Sequence, residues 1–188
     1  MEGKFLDRLT NSFELDLPSD LETLDQYVEY IVPKIQPWSE DLREEKFYIN
    51  KRWKEVRDTD TYHETVLNIF MPGGEYLVVV DGDISKGAWR YMSENNTFIL
   101  DYGGKSQLFD LSFLNTDFFI LQKNGDQTRK GRQKYYVYAS EAMLNKKKLD
   151  WRGAMEELYN IYRNTSKFSV WVIFLLTVIV DFAVYAYT

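Results

Sequence analysis

The spacing of apolar residues changes twice along the chain, from a helical repeat to an alternating repeat and back again. The first helical repeat predicts an amphipathic helix over residues 20–35, with apolar side chains at three- and four-residue steps. Ser19 and Glu22 form an S-x-x-E pair, which predicts a capping box at the start of this helix. Its apolar stripe would either pack on the rest of the domain or dock a partner. The stripe consists of Leu21, Leu24, Val28, Ile31 and Ile35.

From about Lys46 the chain changes to short segments rich in aromatic and β-branched residues, separated by turns containing glycine, asparagine and proline. Alternation along one segment places Phe109, Leu111 and Phe113 on the same face. Such short connections do not allow parallel crossovers, so we expect an antiparallel meander, and about eight strands would let it close. The candidate strands are 46–57, 64–71, 75–81, 87–92, 97–102, 106–114, 117–123 and 133–140.

The helical repeat returns after Ala139. Asp150 is placed to cap a helix with one apolar face. A polar hinge over 164–167 then leads to an apolar tail. The apolar face of the helix consists of Trp151, Ala154, Met155, Leu158, Ile161 and Tyr162.

The apolar tail, Phe168–Thr188, is long enough to cross a membrane. Its 21 residues would span about 31 Å as a helix, which matches a hydrocarbon core of about 30 Å. Trp171 lies near one end, and Tyr185 and Tyr187 lie near the other, as in an aromatic belt. The basic residues that flank the tail all precede it, so the soluble part is expected on the cytoplasmic side.

The expected fold class is α+β: an antiparallel β meander closes to a barrel, helices flank it on both sides, and a C-terminal transmembrane helix follows. The expected organisation has four parts. They are a helical N-terminal segment over 1–45, an antiparallel β domain over 46–140, an amphipathic helix and hinge over 141–167, and a transmembrane anchor over 168–188.

The strand-rich part contains a series of motifs in a definite order. An apolar strand leads through a glycine turn to a Tyr-bearing strand, and a G-x-W strand follows as Gly87-Ala88-Trp89. An L-x-x-L hairpin comes later, with Leu108–Leu111 and Leu114–Leu121. In this order the chain resembles the bacterial lipocalin-like (calycin-type) small barrels.

The resemblance covers about residues 46–140. Trp53 would be the opening tryptophan of such a domain, although Lys51 stands where a glycine usually precedes it. The resemblance implies a lipocalin-like fold with an internal cavity for a small apolar ligand, and it carries over no catalytic residues.

The residues offer little support for catalysis. The chain has no cysteine, which excludes disulfides, thiolate catalysis and cysteine-ligated zinc. His63 is the sole histidine, and without a G-x-S-x-G motif it is interpreted as an ordinary surface or strand residue. Asp81-Gly82-Asp83 begins a string similar to a calcium loop, but Lys86 replaces the required glycine, so a turn is predicted. We expect no enzymatic activity, cofactor or metal.

Charge is informative at one predicted hairpin. The formal net charge of −6 argues against nucleic acid as a partner. Five basic residues nevertheless crowd residues 123–134. They would form a solvated loop, or bind anionic lipid headgroups, or bind an acidic partner or nucleic acid at this hairpin alone. These residues are Lys123, Arg129, Lys130, Arg132 and Lys134.

Four polar residues of the tail fall on one helical face: Thr177, Asp181, Tyr185 and Thr188. An acidic residue within a span is costly and usually faces protein or water. The stripe would therefore pair with another membrane helix, from a second copy or a partner subunit, mark the end of the span, or line an ion or proton pathway.

The expected function is a tail-anchored, single-pass protein of the cell membrane. It would present a non-enzymatic binding or scaffold domain at the cytoplasmic face, as a subunit of a membrane assembly. The alternative is a lipocalin-like carrier or sensor of a small apolar ligand. The size of the cavity distinguishes the scaffold hypothesis from the carrier or sensor hypothesis. Inward aromatic side chains such as Trp89 and Phe98 could fill the interior and leave no space for a ligand.

Overall fold

The computed structural model describes residues 17–58, 65–124 and 133–163. Its centre is a closed antiparallel barrel of eight strands. The strands are β1 (Trp53–Val56), β2 (Val66–Phe70), β3 (Glu75–Val80), β4 (Asp83–Met92), β5 (Thr97–Tyr102), β6 (Lys105–Leu114), β7 (Phe118–Lys123) and β8 (Tyr135–Ser140).

Within the described residues, three α-helices lie outside the sheet. Helix α1 (Leu24–Ile35) precedes the barrel and is followed by two short 3₁₀ helices, Gln36–Trp38 and Glu45–Phe47. Helix α2 (Glu141–Lys147) and helix α3 (151–163) follow the barrel.

The barrel has up-and-down topology. Each strand pairs antiparallel with the next, and β1 closes the sheet by pairing with both β2 and β8. Connections therefore alternate between two ends. We call the end with the β1–β2, β3–β4, β5–β6 and β7–β8 connections the rim, and the opposite end the base. The predicted antiparallel meander and its closure are confirmed.

Strand boundaries differ from the prediction where turns intervene. The first strand was expected over 46–57, but the 3₁₀ helix Glu45–Phe47 delays β1 to Trp53. The fourth was expected from Gly87, but β4 begins at Asp83 because Asp81 and Gly82 make a two-residue hairpin turn, with φ of 48° and 98°.

A β-bulge in β6 overturns the predicted alternation of that strand. The pairing between β6 and β7 shifts between Leu111 and Phe113. As a result Phe109 faces the barrel interior, while Phe113 joins the outer core with the helices. A single inserted residue exchanges the two faces of a strand, because side chains alternate with a period of two.

The first helix starts later than predicted. Thr23, not Ser19, is its N-cap, and it forms a capping box with Gln26. The Asp58 carboxylate accepts a hydrogen bond from the Leu24 backbone N–H at 2.8 Å, which fixes the helix start to the end of β1. The predicted Asp150 cap is confirmed, since its Oδ1 accepts from the Gly153 N–H at 2.7 Å. Helix α2 lies within 141–167, where one amphipathic helix and a hinge were predicted, and it is separate from the helix that Asp150 caps.

The barrel wall separates two hydrophobic cores. The outer core joins α1, α2 and α3 to the outward faces of the strands around β7 and β8, and it includes fully buried Val28, Ile31 and Leu158. The apolar stripes of α1 and α3 thus pack on the barrel. The inner core fills part of the lumen and is mainly aromatic.

The fold class is corrected at its C-terminal end. The prediction included a transmembrane helix, yet no helix within 17–58, 65–124 and 133–163 is both long and apolar enough to cross a membrane. The expected span Phe168–Thr188 itself lies outside the described residues. The architecture is a closed eight-stranded antiparallel barrel with helices before and after it.

Candidate functional site: a cup in the barrel lumen

An aromatic plug closes the base of the lumen. Tyr48 enters from the segment before β1, stacks on Phe119 at 5.5 Å and meets Trp89 edge-on at 5.4 Å. Its hydroxyl donates to the Leu42 carbonyl at 2.8 Å, so its polar atom is satisfied although the residue is fully buried. The other large side chains of the plug are Trp53, Phe70 and Phe98.

Above this plug lies a cavity of about 500 Å³. Inward side chains of β1, β2, β3, β5, β6 and β8 form its wall. The apolar part of the wall consists of Val66, Val78, Val80 and Leu100. The lumen is therefore filled at the base and hollow toward the rim. We call this hollow half the cup.

The floor of the cup is polar. Asn68, only 2% exposed, accepts a hydrogen bond on Oδ1 from the Tyr76 hydroxyl, while its Nδ2 is buried and bonds to no described group. Burial raises the pKa of Tyr76 and of Tyr138 well above the ordinary value, and the negative charge of Glu55 raises both further. Both tyrosines therefore stay neutral at physiological pH.

A partly buried ion pair lies in the wall of the cup. The Arg57 guanidinium binds the Glu55 carboxylate through Nε at 2.9 Å and Nη2 at 2.8 Å. The Glu55 side chain is only 7% exposed, whereas that of Arg57 is 33% exposed. Removing the carboxylate from water costs desolvation energy that the pair does not always recover, so such pairs are weak evidence for stability alone. Their location in a cavity favours a role in binding.

Turn geometry sets the rim of the cup. Gly103 and Gly104 form a two-residue hairpin with φ of 60° and 72°, which places Lys105 opposite Tyr102. Gly87 lies close to this corner. A Cβ added there would lie 2.4 Å from the Asp101 carbonyl oxygen and 3.2 Å from the Tyr76 ring. The glycine of the G-x-W motif thus gives space to a ring that lines the cup.

The predicted lipid-binding patch is only partly described. The Lys134 ammonium pairs with Glu29 at 2.7 Å, and the Lys123 ammonium lies over the Tyr136 ring at 4.8 Å. The other three residues, Arg129, Lys130 and Arg132, lie outside the described part of the chain. So do His63 and the predicted helix-pairing residues Thr177, Asp181, Tyr185 and Thr188.

The cup residues were not singled out from the sequence, although a signal for them existed. Trp53, Glu55 and Arg57 alternate along one strand, as do Asn68 and Phe70 along the next. Once the aromatic residue of each strand, Trp53 or Phe70, is assigned to the lumen, alternation places the polar residues of the same strand in the lumen too. Within the described part of the chain, no group of three or more His, Cys, Asp or Glu side chains is arranged to hold a metal ion.

Comparisons with known proteins add no assignment. None of the protein-family models, curated proteins or solved structures compared with this chain matches it.

Proposed function

We propose that this chain is a non-enzymatic binding protein whose barrel holds a small molecule in the cup, as a carrier or a sensor. The observation that carries the proposal is the cavity of about 500 Å³ above the aromatic plug. Cavities of roughly 300–1,000 Å³ accommodate drug-sized ligands. The aromatic plug closes the base of the cup, and the inward residues come from six strands that the closed sheet holds in fixed register.

The composition of the cup supports the same proposal. Ligand sites combine apolar and aromatic walls with a few fixed polar groups. Here Val66, Val78 and Leu100 provide apolar wall, while the Glu55–Arg57 pair and Asn68 provide polar groups. The resemblance to calycin-type barrels is part of this proposal, because those domains suggest an internal ligand.

Fluorescence of N-phenyl-1-naphthylamine, a neutral apolar probe, tests the proposal with the full chain. Wild type should bind the probe at one saturable site. Val78→Trp places an indole inside the cup and should weaken binding at least tenfold. Leu108→Trp is the matched control, because Leu108 lies on the outer face of β6 and is 46% exposed.

Near-UV circular dichroism would confirm that both variants fold. Val80→Trp, closer to the rim, provides a second blocked cup if Val78→Trp unfolds. The proposal is wrong if wild type fails to bind the probe, or if folded cup-blocked variants bind it as wild type does.

A further inference from the structure

The dimensions of the cup limit the length of a ligand. Along β3 the cup extends from Tyr76 at the floor to Val80 at the rim. Four residues of strand rise about 13 Å at roughly 3.3 Å each. The plug beneath is fully buried aromatic packing, so a long chain cannot extend downward. The ligand is therefore compact, of the size of one or two fused rings or a short branched chain.

The charges of the described residues that line the cup do not cancel. Among those residues, three charged side chains line it: Glu55, Arg57 and Lys105. The Glu55 carboxylate accepts hydrogen bonds from Nε and Nη2 of Arg57, and its side chain is only 7% exposed. Lys105 is exposed at the rim and pairs with no described carboxylate. The described lining therefore carries one positive charge in excess, on Lys105.

The distribution of polar groups gives an orientation. The floor tyrosines, Tyr76 and Tyr138, resist a negative charge, because burial first and the nearby Glu55 carboxylate second raise the pKa of each hydroxyl. An acidic group would be unfavourable there. At the rim, the ammonium of Lys105 favours one. Asp81 and Asp83 occupy the neighbouring rim hairpin, but neither lines the cavity.

We infer that the ligand is a compact organic anion with an apolar or aromatic body and one carboxylate-like group. This inference rests on the proposed ligand-binding function. The body lies between Val66, Val78 and Leu100, and the acidic group lies at the rim, where Lys105 binds it. Gly103 and Gly104 hold Lys105 in place through their hairpin.

A matched pair of fluorescent probes isolates the acidic group. 8-Anilino-1-naphthalenesulfonate has the ring body of N-phenyl-1-naphthylamine plus one sulfonate. Wild type should bind the anionic probe about fivefold more tightly at low salt, as expected for one partly solvated charge contact. Added salt should reduce this advantage, whereas binding of the neutral probe should not weaken.

Substitution of the lysine locates the contact. Lys105→Gln should remove most of the advantage of the anionic probe and leave the neutral probe unchanged, while Lys105→Arg should keep it. Lys86→Gln is the matched control. It makes the same change in net charge at an exposed lysine of β4, where the ammonium pairs with Glu75 at 2.8 Å outside the lumen.

The outcomes separate this inference from the function on which it rests. If the neutral probe binds in the cup but the anionic probe binds no better, the anion inference is wrong and the binding function stands. If the anionic probe binds better but Lys105→Gln and Lys86→Gln behave alike, the assignment of Lys105 is wrong. If neither probe binds wild type, the proposed function itself fails.

Discussion

The Asn68 amide and the Tyr76 hydroxyl at the floor of the cup allow a double-mutant cycle. We expect the two changes in the free energy of unfolding not to be additive. Tyr76→Phe removes the donor to Asn68 Oδ1, leaving both polar atoms of a 2%-exposed amide without a protein partner. A buried group left unsatisfied costs about 1–3 kcal/mol. We expect Tyr76→Phe to lower the free energy of unfolding by about 2 kcal/mol.

The second single variant and the double variant behave differently. Asn68→Leu leaves the Tyr76 hydroxyl without its acceptor but also removes the unpartnered Nδ2, so the two effects offset each other to within about 1 kcal/mol. In the double variant the Asn68 amide and the Tyr76 hydroxyl are both gone, while the Tyr138 hydroxyl loses its hydrogen bond to Tyr76 just as it does in Tyr76→Phe. The double variant should therefore be more stable than Tyr76→Phe alone, with a coupling of about 1–3 kcal/mol.

Urea unfolding of the four proteins, followed by tryptophan fluorescence, measures this cycle. Tyr102→Phe is the control for loss of a tyrosine hydroxyl, because Tyr102 is 40% exposed at the rim and the change should stay within about 0.5 kcal/mol. Additive single effects, with the double variant the least stable of the four, would refute the proposed hydrogen-bond arrangement at the floor.

Three further predictions concern the barrel and its first helix. Gly87→Ala should lower the free energy of unfolding by about 2–3 kcal/mol, because its Cβ would lie 2.4 Å from a backbone oxygen. Gly103→Ala has open space around it and should lower the free energy of unfolding by only about 1 kcal/mol, because of its positive φ. Thr23→Ala should cost about 1 kcal/mol in thermal unfolding as the true N-cap, and a larger effect of Ser19→Ala would contradict that cap. The contribution of Tyr76 and Tyr138 to stability should be constant up to about pH 9 and fall from about pH 10 upward, since their pKa values are raised on folding, so the unfolded state loses these protons first. Absorbance at roughly 295 nm, the band of ionised tyrosine, should show these hydroxyls titrating only with unfolding, and early titration would contradict their burial.

The barrel could be predicted because its determinants are local. Turns such as Gly103-Gly104 connect neighbouring strands too closely for any crossover, so an antiparallel meander follows from the sequence alone. The bulge in β6 was not predictable in this way. Leu111, Ser112 and Phe113 form an acceptable alternating pattern, and only pairing with β7 and packing against α3 decide which side chain changes face.

The candidate site was less predictable than the fold. Whether an eight-stranded lumen is hollow depends on the summed volumes of side chains from all strands, and on what enters its ends. Trp89 and Phe98 do fill the interior, but only at the base. The plug also depends on Tyr48, which reaches the lumen from outside the predicted strand alternation.

The uneven covering of the barrel wall has a consequence for local opening. Strand β7 is buried along most of its length, with the helices on one side and the lumen on the other, whereas β4 is largely exposed on the far side of the barrel. Hydrogen-bonded segments with few buried contacts exchange their amide protons through local openings that cost less than global unfolding. Amides of β4 should therefore exchange well before those of β7. The helices stabilise one side of the barrel against local opening. The opposite side, which includes Gly87, opens more readily.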